Sequence, residues 1–325
     1  MNASLIQQTS RRQRGLTLTE VLVAMVIGLI LIGGVIYVFI SSFVSFRMND
    51  ELARLQENGR IAIRWMESDL RNAGFLGCAR VDAGSLQSTL PAASPEILPE
   101  ALTYGVQALP MSTSLGAQLV LSLPRKEDAT LLDDVTPGDT TTVALVRNTA
   151  SEQLQSGDLI LIGDCGRSEL FQAAAIAQTT SAVNVTGKLN FHYTPEGRPL
   201  VAPYQQVDYA YTPPGTGERD GVLKRNGEVL AEGVEIFRVC VSEQSVTRTG
   251  DSGTYTPVSG STLPLINWDR VASLQIDLLL KAPSANGKEL SEETFRLCGN
   301  QDYTTNDAIL RKQFSTTVLL RNKLL

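Results

Sequence analysis

Residues 11 to 20 read Arg11-Arg12-Gln13-Arg14-Gly15-Leu16-Thr17-Leu18-Thr19-Glu20, and twenty residues without a charge follow, from Val21 to Ile40. In helical conformation twenty residues cover about 30 Å, the thickness of a bilayer core. A secretory signal peptide is cut after its apolar stretch, whereas here the small residue that suits a cleavage site, Gly15, precedes it. We therefore expect the apolar segment to stay on the mature chain as a membrane helix.

The charges around this segment predict its orientation. Arg11, Arg12 and Arg14 precede the apolar run, and the first nineteen positions contain no acidic residue. Because positive charge is retained on the cytoplasmic side, the N-terminus is expected in the cytoplasm and the rest of the chain across the membrane. Glu20 does not fit a plain anchor, since a buried carboxylate costs about 2.5 kcal/mol or more. It either lies among the lipid headgroups or pairs with an amine, such as the one that cleavage before Leu16 would release.

This order of residues resembles the class III signal of type IV pilins and pseudopilins. The resemblance implies that a prepilin peptidase cuts between Gly15 and Leu16 and methylates the new terminus. It also implies that Glu20, the fifth mature residue, pairs with the Leu16 amine of its own or a neighbouring subunit during assembly. Two positions depart from the family: Leu16 replaces the usual phenylalanine, and Tyr37 stands where many members have a helix-breaking proline.

The helix is predicted to continue well beyond the membrane segment. After Phe46 apolar or small residues recur at steps of three and four, with charged residues between them: Leu52, Leu55, Gly59, Ala62, Met66, Leu70 and Ala73. This spacing is typical of an amphipathic helix. No proline occurs before Pro91, and Gly74 and Gly77 are stop signals. The pattern predicts one helix from Leu16 to about Asn72.

The remaining residues, about 250, are predicted to form a β-rich domain. Strand-like runs alternate with turn signals, and they cover residues 118–123, 141–146, 158–162, 170–177, 182–185, 206–211, 234–241, 272–280 and 315–320. Asn226-Gly227 between two such runs predicts a type I′ hairpin. The Ser-, Ala- and Pro-rich segment 85–116 is interpreted as a surface loop. The fold class is therefore α+β, a long N-terminal helix packed on a large antiparallel sheet.

These patterns divide the chain into four predicted regions. Residues 1–15 are the predicted leader and residues 16–46 the hydrophobic membrane and assembly helix. Residues 47–74 are its amphipathic continuation, and residues 75–325 are the periplasmic globular head.

The four cysteines lie in the part of the chain that should be exported. An even number in an oxidising compartment favours two disulfides, for which three pairings exist. We favour Cys78 with Cys165, which ties the end of the helix to a strand, and Cys240 with Cys298, which joins the C-terminal strands. A zinc site is the alternative, but no Cys-x-x-Cys is present and His192 is the chain's one histidine.

The chain lacks the residues that most enzymes need. There is no nucleophile elbow, His-Glu-x-x-His motif or phosphate-binding loop, and His192, on an apparent strand, is interpreted as structural. We predict no catalysis, no cofactor and no metal. The formal charge is −6, and loss of a leader with three arginines and no acid would make it −9. Direct nucleic-acid binding is therefore not expected.

Several internal segments are similar to the PilW family of type IV pilus minor pilins. They begin at Arg71-Asn72-Ala73-Gly74-Phe75-Leu76-Gly77-Cys78 and include residues 157–165, 230–235 and 311–322. The resemblance implies a subunit at or near the pilus tip that primes assembly and supports twitching, adhesion or DNA uptake. It implies prepilin peptidase, the other minor pilins, the major pilin, a tip adhesin and the inner-membrane assembly platform as partners. The expected location is the inner membrane, and then the pilus, of a Gram-negative bacterium.

Two other functions remain open from the sequence. A minor pseudopilin of type II secretion shares the signal and the helix. A membrane-anchored periplasmic enzyme or receptor would keep its N-terminus uncut.

Overall fold

The computed structural model describes residue 15 and residues 17–77, 86–88, 99–111, 116–125, 131–138, 142–146, 154–177, 182–185, 189–216, 220–244, 254–283 and 290–322. The chain divides into two units, Met1–Asp50 and Glu51–Leu325. The domain boundaries expected from the sequence remain predictions.

The first helix, α1 (Leu18–Asn72), contains 55 residues and ends where the sequence predicted. Within the second unit it buries a stripe at steps of three and four residues, as amphipathic spacing requires. The buried positions of the predicted stripe are Leu55, Gly59, Ala62, Met66 and Leu70. Gly74 and Gly77 follow with positive φ values of 67° and 79°, the backbone conformation that commonly ends a helix.

The rest of the described chain is mainly strand, with one short α-helix, α2 (Pro99–Tyr104), and three single-turn 3-10 helices, Pro195–Gly197, Leu263–Leu265 and Trp268–Arg270. Its strands are β1 (Leu86–Ser88), β2 (Val106–Pro110), β3 (Ala117–Pro124), β4 (Thr142–Ala144), β5 (Leu159–Gly163), β6 (Ser168–Ala177), β7 (Ala182–Val185), β8 (Leu200–Thr212), β9 (Gly221–Arg225), β10 (Glu228–Glu243), β11 (Thr256–Pro257), β12 (Val271–Lys281), β13 (Ser291–Leu297), β14 (Gln301–Asp307) and β15 (Arg311–Leu319).

Thirteen of these strands form one large sheet among the described residues. Its central order is β15-β12-β10-β9-β8-β5-β6-β7-β4, with β3 on β8, β2 on β3 and β11 on β10. The pairings are antiparallel except that of β1, which is parallel to β6. The predicted α+β architecture, an apolar N-terminal helix and a large, mostly antiparallel sheet, is confirmed.

The C-terminal half of this sheet is covered on both sides. Phe237 and Leu278 share a core with Met66 and Leu70 of α1, and we call this side the helix face. Successive strand residues point to opposite faces, so Ile236 and its partner Leu279 lie on the other side. There they pack with Leu297, Phe295 and Tyr303 of the β13–β14 hairpin, and we call this side the hairpin face.

The prediction of a surface loop for residues 85–116 is wrong. This segment contains β1, α2 and β2, and Ala101, Val106 and Ala108 are at most 1% exposed. The segment is rich in alanine, serine and proline, which have weak or unfavourable strand propensity. β2 is held instead by its pairing along β3, from Val106 opposite Leu121 to Pro110 opposite Ala117.

The β9–β10 hairpin has the turn predicted for it. Asn226 and Gly227 both have positive φ, 52° and 83°, the combination that a type I′ turn requires.

Candidate processing and assembly segment

The start of α1 is capped by Thr17. Its carbonyl accepts hydrogen bonds from the backbone N–H groups of Glu20 and Val21 at 3.1 and 3.2 Å, and its Oγ1 lies 3.4 Å from the nitrogen of Glu20. These contacts satisfy amide groups that a helix N-terminus otherwise leaves unpaired. The helix therefore begins just after the predicted cleavage site.

The predicted processing residues lie at this terminus. Gly15 is exposed, and a Cβ added to it would meet no atom within 4 Å. Leu16 lies outside the described residues. Glu20 is in the first turn, where the helix dipole favours a negative side chain.

Glu20 is bordered by apolar and small side chains. It lines a shallow surface depression together with Val21, Ala24 and Met25, which are one and four to five residues further along the helix. A carboxylate in such a depression can accept hydrogen bonds from a cationic amine.

The segment that follows exposes its apolar residues on every side. An 18-residue window has a mean hydropathy of 2.9, and none of it is buried within the chain. Leu29, Ile30 and Phe39 are 70%, 69% and 70% exposed. By length and composition this helix can cross a membrane. Uncovered apolar area of this extent requires lipid or other helices around it.

The disulfide on the hairpin face joins β10 to the end of β13. Cys240 and Cys298 are bonded across 58 residues, the pairing that the sequence analysis preferred. Beside it the carboxylate of Asp277 accepts a hydrogen bond from the backbone N–H of Cys298. The described residues show this one disulfide rather than the predicted two, because Cys78, the expected partner of Cys165, lies outside them.

A buried arginine forms the second attachment of the hairpin. The Arg311 side chain is 3% exposed, and its Nε lies 2.6 Å from Glu235 Oε2. Its terminal nitrogens lie 2.6 and 2.8 Å from the two carboxylate oxygens of Asp307. The hydrogen bonds that Arg311 donates to Asp307, and then those it donates to Glu235, raise the pKa of Arg311 despite the opposing effect of burial. Tyr303 also donates to Glu235 at 3.1 Å.

A third polar cluster joins α1 to the sheet on the helix face. Asp69, 7% exposed, accepts a hydrogen bond from Tyr209 Oη at 2.5 Å and is paired with Arg225 at 3.0 Å. The guanidinium of Arg225 lies 5.0 Å from the ring centre of Trp65. Burial, followed by the hydrogen bond to Asp69, raises the pKa of Tyr209, so the phenol stays protonated and donates.

Sequence reasoning missed these clusters. A charged residue inside a strand-like segment, such as Asp277 in residues 272–280, was the available signal, because a charge on a buried strand needs a partner. The partners themselves are distant in sequence: Arg225 and Asp69 are 156 residues apart.

His192 does not lie on a strand, as the sequence suggested, but in an exposed loop before the isolated bridge between Val135 and Tyr193. Within the described ranges, no group of three or more His, Cys, Asp or Glu side chains could hold a metal ion.

Comparison with known families assigns the two ends of the chain. The prokaryotic N-terminal methylation motif matches residues 10–36, which contain Gly15, Glu20 and the start of the apolar helix. Together with the fold described above, this match supports a pilin with a class III signal. The motif and the apolar helix that follows it fit a membrane-anchored pilus subunit.

The second match is more particular. The family Type IV Pilus-assembly protein W matches residues 218–322, the part of the sheet from β9 to β15 that carries the disulfide and the Arg311 cluster. Together the two matches support a PilW-type minor pilin, and they point to a structural protein rather than an enzyme. No curated protein and no solved structure matches the chain.

Proposed function

We propose that this chain is a structural minor pilin that helps to prime and build a type IV pilus at or near its tip. The observation that carries the proposal is the methylation motif at residues 10–36, which leads into an apolar helix that the chain itself leaves uncovered. Lipid covers such a helix while the subunit waits in the membrane, and packing against other helices replaces lipid on assembly.

Processing comes first in this proposal. Prepilin peptidase cuts between Gly15 and Leu16 and methylates the Leu16 nitrogen. The three arginines of the leader keep the N-terminus in the cytoplasm of a Gram-negative cell, so the globular head lies in the periplasm before it reaches the cell surface.

Assembly then depends on Glu20. Its carboxylate pairs with the Leu16 amine, its own or that of a neighbouring subunit, and this pairing sets the register of the packed helices. Other minor pilins, the major pilin, a tip adhesin and the inner-membrane assembly platform are the partners. The pilus so built supports twitching, adhesion or DNA uptake, without direct contact of this subunit with nucleic acid.

Mass spectrometry of the mature N-terminus tests the processing step. A methylated Leu16 terminus is expected, and a chain that still begins at Met1 would refute the proposal. Gly15→Val should abolish cleavage because the peptidase requires a small residue before the cut.

The role of Glu20 needs a separate measurement. Glu20→Ala should be cut normally but should fail to restore piliation in a deletion strain. Thr19→Ala, one residue earlier in the same helical turn, is the matched control and should restore it. Equal piliation by both variants would remove Glu20 from the assembly mechanism.

The deletion strain also separates this function from that of a pseudopilin. Loss of pili with normal secretion of exoproteins supports the minor pilin. Intact pili with retained exoproteins would assign the chain to type II secretion instead.

A further inference from the structure

The outward side of α1 in the second unit carries an unusual set of side chains. Arg60, Ile61, Arg64 and Trp65 are all exposed, and Ile61 and Trp65 are 42% and 49% exposed. Arg64 follows Arg60 by four residues and Trp65 follows Ile61 by four, which places these side chains on one side of the helix, opposite the fully buried Met66. We call these four residues the α1 patch.

The two arginines of the patch are available for a partner. Within the described part of the chain, neither Arg60 nor Arg64 forms a hydrogen bond or an ion pair. Glu57, one turn earlier on the same side, forms none there either, and Glu67 is engaged by Thr316 and Arg71. Even with the carboxylate of Glu57 counted against the two arginines, this side of the helix keeps one net positive charge, on a chain whose formal charge is −6.

The tryptophan of the patch is held in place. The guanidinium of Arg225 lies 5.0 Å from its ring centre, and Arg225 is itself held by Asp69 through bonds of 3.0 and 3.1 Å. Tyr209, fully buried, completes this support by donating to Asp69. A large side chain that is already ordered loses little conformational entropy when a partner covers it.

These features favour a protein partner over a nucleic acid. Tryptophan and arginine are the residues most enriched among those that dominate protein interfaces, and Ile61 adds apolar contact area. The negative charge of the whole chain opposes approach to a polyanion such as DNA.

We propose that the α1 patch docks an amphipathic helix of a neighbouring pilus subunit. Side chains at this spacing form a ridge that fits the groove of a second helix. Carboxylates of that helix bind Arg60 and Arg64 through paired, charge-assisted hydrogen bonds, and an apolar side chain covers Trp65 and Ile61. The inference rests on the proposed function in one respect, the identity of the partner as a pilus subunit.

Binding measurements on the full chain in detergent micelles test this interface. The probes are the other minor pilins and the major pilin of the same organism, each purified as a full chain. The Arg60→Glu/Arg64→Glu variant should weaken binding to one of these subunits at least 30-fold, because two attractive pairs become repulsive. Trp65→Ala should weaken the same complex about 10-fold or more.

Arg296→Glu is the matched control. The Arg296 side chain is 77% exposed on the hairpin. Reversing its charge makes the same kind of change at a surface away from the α1 patch. It should alter the dissociation constant of the complex less than twofold. Changing the facing carboxylates of the partner to arginine should restore binding of Arg60→Glu/Arg64→Glu. The Arg60→Glu/Arg64→Glu variant changes only exposed residues, so an unchanged free energy of unfolding is expected.

Two results would overturn the inference. One is wild-type affinity of both patch variants for every pilus subunit. The other is a loss of single- or double-stranded DNA binding in these variants with subunit binding unchanged, which would make the patch a nucleic-acid site. In either case normal cleavage at Gly15 and normal piliation would leave the proposed function standing, whereas an uncut chain would overturn that function by itself.

Discussion

The two faces of the C-terminal half of the sheet are covered by different kinds of contact. On the helix face, Met66 and Leu70 of α1 are fully buried in an apolar core with Phe237 and Leu278. On the hairpin face a few apolar side chains are accompanied by a disulfide and by the buried Arg311 cluster.

The difference follows from the size of the covering element. A helix that presents an apolar residue at each turn buries a continuous stripe, and burial of this kind is worth about 25 cal/mol per Å². The hairpin consists of two strands of seven residues each, and a lone two-stranded hairpin is marginally stable in water. The covalent and ionic attachments therefore compensate for a small apolar area.

Of the variants that test this contrast, the one without the disulfide should lose the most free energy of unfolding. Cys240→Ala/Cys298→Ala opens a link that spans 58 residues, and the chain-entropy model gives a loss of about 4 kcal/mol in the free energy of unfolding. Denaturant unfolding of the full chain in micelles measures the loss. Hydrogen exchange should rise in residues 291–307 but not along β12 and β15. Uniform exchange over both faces would contradict the separate role of the hairpin attachment.

The Arg311 cluster should contribute the next largest effect. Arg311→Met leaves Glu235 and Asp307 without their cation and should lower the free energy of unfolding by about 3 kcal/mol. Arg296→Met, on β13 of the hairpin, is the control, because the pair of Arg296 with Asp302 is exposed and should contribute less than about 1 kcal/mol. Equal losses for the two variants would show that burial does not decide the strength of the pair.

On the helix face the most sensitive position is Gly59. A Cβ there would overlap the ring of Phe314 on β15, so Gly59→Ala forces either this ring or the helix to move. We expect a net loss of about 1 to 2 kcal/mol after the better helix propensity of alanine is included. Gly33→Ala, in the same helix with no atom within 4 Å of the added Cβ, should show no loss. A stable Gly59→Ala would mean that this face is loosely packed.

The smallest effect should come from the polar contact at the edge of the helix face. Thr316 donates to Glu67 Oε1, and Glu67 is 32% exposed in its pair with Arg71. Thr316→Val should cost about 1 kcal/mol or less because water can replace the hydroxyl. Thr317→Val, at the next and exposed position of β15, should be neutral. A loss as large as that of Arg311→Met would contradict the contrast between the faces.

Much of the fold could be predicted because local spacing carries it. The steps of three and four residues placed the stripe from Leu55 to Leu70 on α1, and Asn226-Gly227 indicated its hairpin. β13 and β14 were missed because their exposed positions are polar, and among the described residues the apolar side chains that they pack on the sheet are Phe295, Leu297 and Tyr303. β2 was missed because its stability depends on pairing with β3 rather than on its own composition.

The sequence by itself determined the parts of this protein that depend on neighbours in the chain. These are the basic leader and Gly15, Glu20 at the head of an apolar helix, and the amphipathic continuation of that helix. Only the tertiary structure decided which side chains meet across long separations: Cys240 with Cys298, Arg311 with Glu235, and Arg225 with Asp69 beneath Trp65. Helix periodicity is a short-range property that nearby residues specify. The contacts across long separations depend instead on strand order and register, which are fixed by interactions throughout the chain.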